Sequence, residues 1–109
     1  MRTNITIMQG DQYAIPFEIL TADGTPANGD TFADVELVVG ALRKTMSGGA
    51  IVYDADQGAF LFPLTQEETF AMRDQRYTAQ LRVKTITGEV VGQDLGVIIV
   101  DVSKSKEIL

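Results

Sequence analysis

An all-β fold built from two packed antiparallel sheets is the class this sequence predicts, and three observations carry it. Short alternations of apolar and polar residues recur along the chain, as they do in strands with one buried face. Turn dipeptides built from Gly, Asp and Asn separate these segments at the ~8–12-residue spacing of sandwich proteins. Only one stretch, near 65–72, carries a helical signal, and it is long enough for a single turn. The expectation is a β-sandwich of about seven strands.

The elements follow in order. Thr3 to Gln9 alternates, with Ile5 and Ile7 on one side, and reads as a first strand at a sheet edge. Gly10-Asp11 is a tight turn. Gln12 to Leu20 alternates again, with Tyr13, Ile15, Phe17 and Ile19 inward. Pro16 has no N–H for a ladder, so this strand has an unpaired side or a bulge. Thr21 to Asp30 is the strongest loop signal, with Asp23-Gly24, Pro26 and Asn28-Gly29 in one run. Val35, Leu37 and Val39 mark a third strand, which Gly40 bends and Ala41 to Met46 continues.

Ser47-Gly48-Gly49 turns the chain. Ala50 to Tyr53 and Ala59 to Leu64 are short strands around the turn Asp54 to Gly58. Thr65 with Glu68 forms a capping box, in which side chain and backbone satisfy each other at a helix start. The clearest strand comes next: Tyr77, Ala79, Leu81 and Val83 face one way, Thr78, Gln80, Arg82 and Lys84 the other. Tyr77, just after the helical crossover, is placed as in a tyrosine corner. Gly88 alone takes the left-handed conformation in a bulged loop of three to five residues. Glu89 to Val102 is the last strand. Its run Val97-Ile98-Ile99-Val100 breaks the alternation, which places that part centrally or under cover on both faces. Residues 1–103 form one domain, and 104–109 a tail or docking segment.

Composition narrows the chemistry. Net charge is −6, whereas a nucleic-acid surface needs clustered Lys and Arg. With no cysteine, disulfides and thiolate metal sites are out. With no histidine, the commonest general base is missing as well. No secretory leader and no membrane-length apolar run is read in the chain. The expectation is a protein made in the cytoplasm with no membrane partner.

Several groupings invite a functional reading, and each has a plainer one. Asp54-x-Asp56-x-Gly58 resembles the start of a calcium loop, but its Gly is one position early and Thr65 stands where the closing Glu belongs; a hairpin turn explains it. Glu67 and Glu68 as an acid/base pair would diverge on a helix, and capping explains Glu68. Asp30, Asp34 and Glu36 read as a solvated loop. Arg43, Lys44, Arg82 and Lys84 form a basic patch for an acidic partner or, more simply, pair with charges across an exposed sheet face. Tyr13 and Tyr53 are assigned to the core by their apolar phase. No residue is assigned a catalytic, cofactor-binding or metal-binding role, and the expected protein is not an enzyme.

One resemblance extends over nearly the whole chain. It rests on Gln9-Gly10-Asp11, Tyr13 to Leu20, the Asp23 to Pro26 turn, Val35 to Val39, Leu64 to Phe70, and Gln80 to Lys84 with Gly88 and Gly92 beyond. Together these resemble the small immunoglobulin-like β-sandwich proteins of phage and prophage tail modules in Gram-positive bacteria, in outline the N-terminal domain of baseplate upper proteins. The resemblance implies a virion structural protein acting through protein–protein contacts in tail, baseplate or fibre. Its partners would be other phage structural proteins, with a homo-oligomer left open. The alternative is a bacterial surface-associated module that binds carbohydrate or protein, which needs exposed aromatics in a concave site.

Overall fold

The computed structural model describes residues 3–109. In chain order it contains β1 (Thr3–Met8), β2 (Tyr13–Phe17), β3 (Phe32–Val39), β4 (Leu42–Thr45), β5 (Val52–Asp54), β6 (Ala59–Leu64), α1 (Gln66–Phe70), β7 (Arg76–Thr85) and β8 (Val90–Asp101). They form a five-stranded sheet, β1-β8-β7-β3-β4, and a three-stranded sheet, β2-β6-β5. The molecule measures 46 × 23 × 22 Å. Its long axis matches the longest strand, since the twelve residues of β8 span about 40 Å at ~3.3 Å per residue.

Alternation builds the core. In β7 the inward Ala79, Leu81 and Val83 are buried, and Thr78, Gln80, Arg82 and Lys84 are exposed. Across β3 the same face carries Val35, Leu37 and Val39, paired with Val83, Leu81 and Ala79. From the smaller sheet come Ile15, Phe60, Phe62 and Leu64, all in the same buried cluster. Phe60 stacks on Phe17 at 5.8 Å between ring centroids and meets Tyr53 edge-on at 5.1 Å. Fully burying one such side chain contributes about 1.5–3 kcal/mol.

Two features differ from the expected sheet pattern. The described residues give eight strands, because Gly40 (φ 58°) reverses the chain where a continuing strand was expected. Leu42 to Thr45 then pairs antiparallel with Val39 to Glu36. A positive φ at the first position of a two-residue loop matches the twist of a hairpin. The second difference is that β1 runs parallel to β8, Thr3 opposite Gly96 through Met8 opposite Asp101, so the larger sheet is mixed. β1 is an edge strand as expected, and the Val97–Val100 part of β8 is central, held by β1 and β7. Pro16 lies on β2, an edge of the smaller sheet.

The helix end of the molecule is closed by polar contacts. Both halves of the capping box form: Glu68 N–H donates to Thr65 Oγ1 (3.1 Å) and Thr65 N–H to Glu68 Oε1 (2.9 Å). Tyr77 Oη accepts from Asp74 N–H at 3.0 Å, the bond expected of a tyrosine corner. Its ring lies against Gly40, where a Cβ would come within 2.5 Å of Cδ1. At the opposite end, Gly88 (φ 98°) lies in the four-residue loop between Thr85 and Val90. The bulge falls elsewhere, between Ala79 and Gln80, where Leu95 of β8 has no partner in the register.

Candidate functional site

The acidic groupings resolve into structural roles. Asp54 accepts from Asp56 N–H and Gln57 Nε2, both at 2.9 Å. These bonds, Gln57's first, hold its carboxyl below the ordinary range and fix the hairpin turn. Asp34 accepts from Ser47 Oγ (2.7 Å), Ser47 N–H (2.9 Å) and Val35 N–H (2.8 Å). Partial burial pushes its carboxyl up, but those donors outweigh it and the result is lowered. Glu67 is exposed, whereas Glu68 is taken up by the cap and by Lys44. No cluster of metal-ligating side chains is found among the described residues.

The four basic residues do not form one patch. β3 lies between β4 and β7, so Arg43 and Arg82 approach Glu36 from either side. Their Nε atoms stand 2.5 and 2.6 Å from its two oxygens. Arg82, then Arg43, hold the Glu36 carboxyl low against the opposing effect of burial. This is the plainer alternative, charge pairing across the sheet, but around a buried acid: Glu36 is 8% exposed and, with Asp34, lies on β3, so these two do not belong to the solvated loop expected for Asp30, Asp34 and Glu36. Lys44 departs from this pairing, because it pairs opposite Leu37 and so points inward. Its Nζ crosses to the smaller sheet, 2.5 Å from Pro63 O and 2.8 Å from Glu68 Oε1, over the Phe62 ring at 5.3 Å. Lys84 remains exposed.

The tyrosines also divide. Tyr53 packs against the core as expected. Tyr13 does not: it shares the inward phase, opposite Leu64, but stands at the first position of an edge strand and is 42% exposed. Burial of the remainder, with Asp11 nearby, raises its pKa.

What the two sheets leave open is an apolar groove of about 410 Å³. One lip is the second half of β2 and the residues after it, Ile15 to Leu20; the other is Gln93 to Ile98 of β8. Leu37, Ala59, Phe62 and Ala79 line its depth. Polar side chains are few, Glu18 and Gln93 at the lips. Both lips carry unpaired backbone. β2 pairs only with β6. Among the described residues β1 covers β8 from Gly96 onward, so on this lip Gly96 to Ile98 is paired on both sides, Gln93 and Asp94 pair with β7 alone, and the bulged Leu95 pairs with neither. Exposed N–H and C=O groups in an edge are a template for another strand. Period-2 patterning did not show this groove. The available signal was one small inward residue, Ala79, beside Leu81 and Val83 on β7; Ala59 has the opposite phase to Phe60, Phe62 and Leu64 on β6.

Compared with protein-family models, with curated proteins and with solved structures, the chain matches none.

Proposed function

We propose that this chain is a non-enzymatic structural protein that assembles through protein–protein contacts, and that its sheets form an immunoglobulin-like sandwich of the kind used in phage and prophage tails or baseplates. The observation that carries the assembly role is the apolar groove whose lips include the free edge of β2 and the short free edge of β8 at Gln93 to Leu95. Such a surface offers main-chain hydrogen bonds and apolar pockets together, which is how an added strand is recognised. In each pair of carboxylates that invited a chemical reading one member is engaged in local structure, Asp54 of Asp54/Asp56 in a turn and Glu68 of Glu67/Glu68 in a cap, and Asp34 and Glu36 are held by the Ser47 turn and by two arginines. The Tyr77–Asp74 bond supports the immunoglobulin-like reading. The phage setting rests on the sequence resemblance.

The test is immunodetection in tailed particles purified from the host that carries the gene. Recovery of the chain with the particles at a fixed ratio to the major tail protein is the expected result. Recovery only in the particle-free fraction overturns the virion role. One observation favours the alternative of a surface carbohydrate- or protein-binding module: Tyr13 is exposed at the start of an edge strand. A glycan array decides it, since an assembly module gives no hit.

A further inference from the structure

The groove and a segment suited to fill it occur on the same chain, at different places. Beyond β8, residues 102–109 take no regular secondary structure. Val102 is 74% exposed, Ile108 53%, and Leu109 fully. Polar contacts hold the segment to the body: Ser103 N–H and Lys106 Nζ both donate to Gln9 Oε1 (3.3 and 2.8 Å), and Leu109 N–H donates to Gln66 Oε1 (3.0 Å). Apolar side chains in water and a backbone with few partners mark a segment that gains by docking elsewhere.

We infer that the groove receives the Val102–Leu109 segment of a second copy, added as a strand. Charge is complementary. Lys104 and Lys106 against Glu107 leave the segment with one net positive charge, while the rest of the chain, with seven basic and fourteen acidic residues, is at −7, with Glu18 on the groove lip. Ile108 and Leu109 supply apolar bulk for a groove whose depth is lined by two alanines, Ala59 and Ala79. The lips supply main-chain donors and acceptors that do not depend on the guest's side chains. Topology favours a second copy over the chain's own segment. β8 runs from the groove lip at Gln93 toward Asp101, so the segment leaves the body heading away from the groove and is tethered at Gln9 and Gln66, by the helix.

Groove and segment are different surfaces, so the contact is heterologous. Repeated from copy to copy, it makes an open chain of molecules unless the rotation closes a ring. The inference deepens the assembly reading by naming the partner, and its test is independent of the particle experiment, because a self-associating chain need not belong to a virion.

The test is sedimentation velocity of the full chain over a range of concentrations. The wild type associates. Leu20→Asp, at an exposed lip residue, weakens association at least about 10-fold, and so does the double substitution Ile108→Asp with Leu109→Asp. The first variant keeps an intact segment and the second an intact groove, so their mixture forms a 1:1 complex and stops there. Gln93→Arg, on the other lip, is the second groove variant should Leu20→Asp fail to fold by circular dichroism. A wild type that stays monomeric throughout, or variants that sediment as it does, overturns the inference. Loss of association in the groove variants but not in the 108/109 variant also overturns it, since another segment then fills the groove.

Discussion

The two ends of this small body solve the same problem differently. At the helix end, β1, β6 and β8 finish while β2 and β7 begin, and side-chain hydrogen bonds tie these ends together. Thr69, fully buried, is the hub. Its Oγ1 donates to an acceptor among Asp11 O (2.9 Å) and Gln66 O (3.2 Å), and it accepts from Gly10 N–H at 2.9 Å. Gly10 has φ 90°, and a Cβ there would lie 2.8 Å from the Phe70 ring. Along the groove side the buried Ile15 and Phe62 line an opening that the lips of the two sheets leave between them. Leu20 on the lip stays 58% exposed, as do Val90 (59%) and Val91 (55%) at the start of β8, before the groove. Satisfied polar groups make one end rigid and self-sufficient, whereas unsatisfied edges and uncovered apolar surface make the other receptive.

The sharpest way to break that contrast is to disturb the closed end. Gly40→Ala meets two obstacles at once, a positive φ and a Cβ 2.5 Å from the Tyr77 ring. An L-residue at φ > 0 and a displaced aromatic each cost on the order of 1–3 kcal/mol. The expected loss is about 2–4 kcal/mol in urea denaturation, among the largest for a single added methyl anywhere in the chain. The same methyl at Gly24 or Gly58, where a Cβ meets nothing within 4 Å, costs only the backbone part. If Gly40→Ala and Gly58→Ala lose the same amount, the Tyr77 corner contributes nothing to the closure.

A smaller effect is expected at the hub. Thr69→Val keeps shape and removes the hydroxyl, leaving Gly10 N–H without its partner. A buried polar group deprived of its bond costs about 1–3 kcal/mol. Amide hydrogen exchange should show the loss at Gly10, Asp11 and the helix, with Leu95 to Ile98 on the groove lip unchanged. Equal acceleration at both places would mean that the two ends open as one unit, and the contrast between them would dissolve.

How much of this was legible in the sequence follows from how local each cause is. The capping box at Thr65 and Glu68, the turn at Asp54 to Gly58, the left-handed Gly88 and the faces of β7 are written in neighbouring residues, and all were read correctly. The Gly40 reversal was misread as a bend because Gly serves both and only the pairing of Val39 with Leu42 decides. The parallel pairing of β1 with β8 joins residues 93 positions apart, and no short-range pattern encodes it. Lys44 was grouped with its surface neighbours because a strand's period says which face a residue takes, and not that a long stem on the inner face reaches Pro63 O and Glu68. Tyr13 had the right phase and the wrong depth, since period-2 logic cannot see where a partner sheet ends. The groove is that same limit on a larger scale: it is the place where two sheets of unequal size fail to overlap.

Acid offers the gentlest way to sharpen the comparison, because the carboxylates held by partners lie outside the groove. Burial raises the Glu68 carboxyl, yet Lys44 Nζ and the Thr65 N–H and hydroxyl outweigh it, and the net shift is downward. Glu36 and Asp34 are lowered as well. A carboxyl whose folded pKa is depressed contributes stability that is fully present above its unfolded value, about 4.3 for Glu and 3.9 for Asp, and is lost as pH falls through the folded value. With no histidine in the chain, stability should be nearly flat from about pH 5.5 to 8 and decline below about 4. Protonating Glu68 loosens the tie from Lys44 between the sheets, so Glu68→Gln should start lower at neutral pH and lose less on acidification. The expected observation is a reduced difference between the urea midpoints at pH 7 and pH 3 for Glu68→Gln, with the Leu20→Asp difference equal to wild type. A Glu68→Gln chain as acid-sensitive as the wild type would place the acid response on the outer sheet face at Glu36 and Asp34, and would leave the Lys44 bridge as a contact that the ammonium's hydrogen bond to Pro63 O sustains alone.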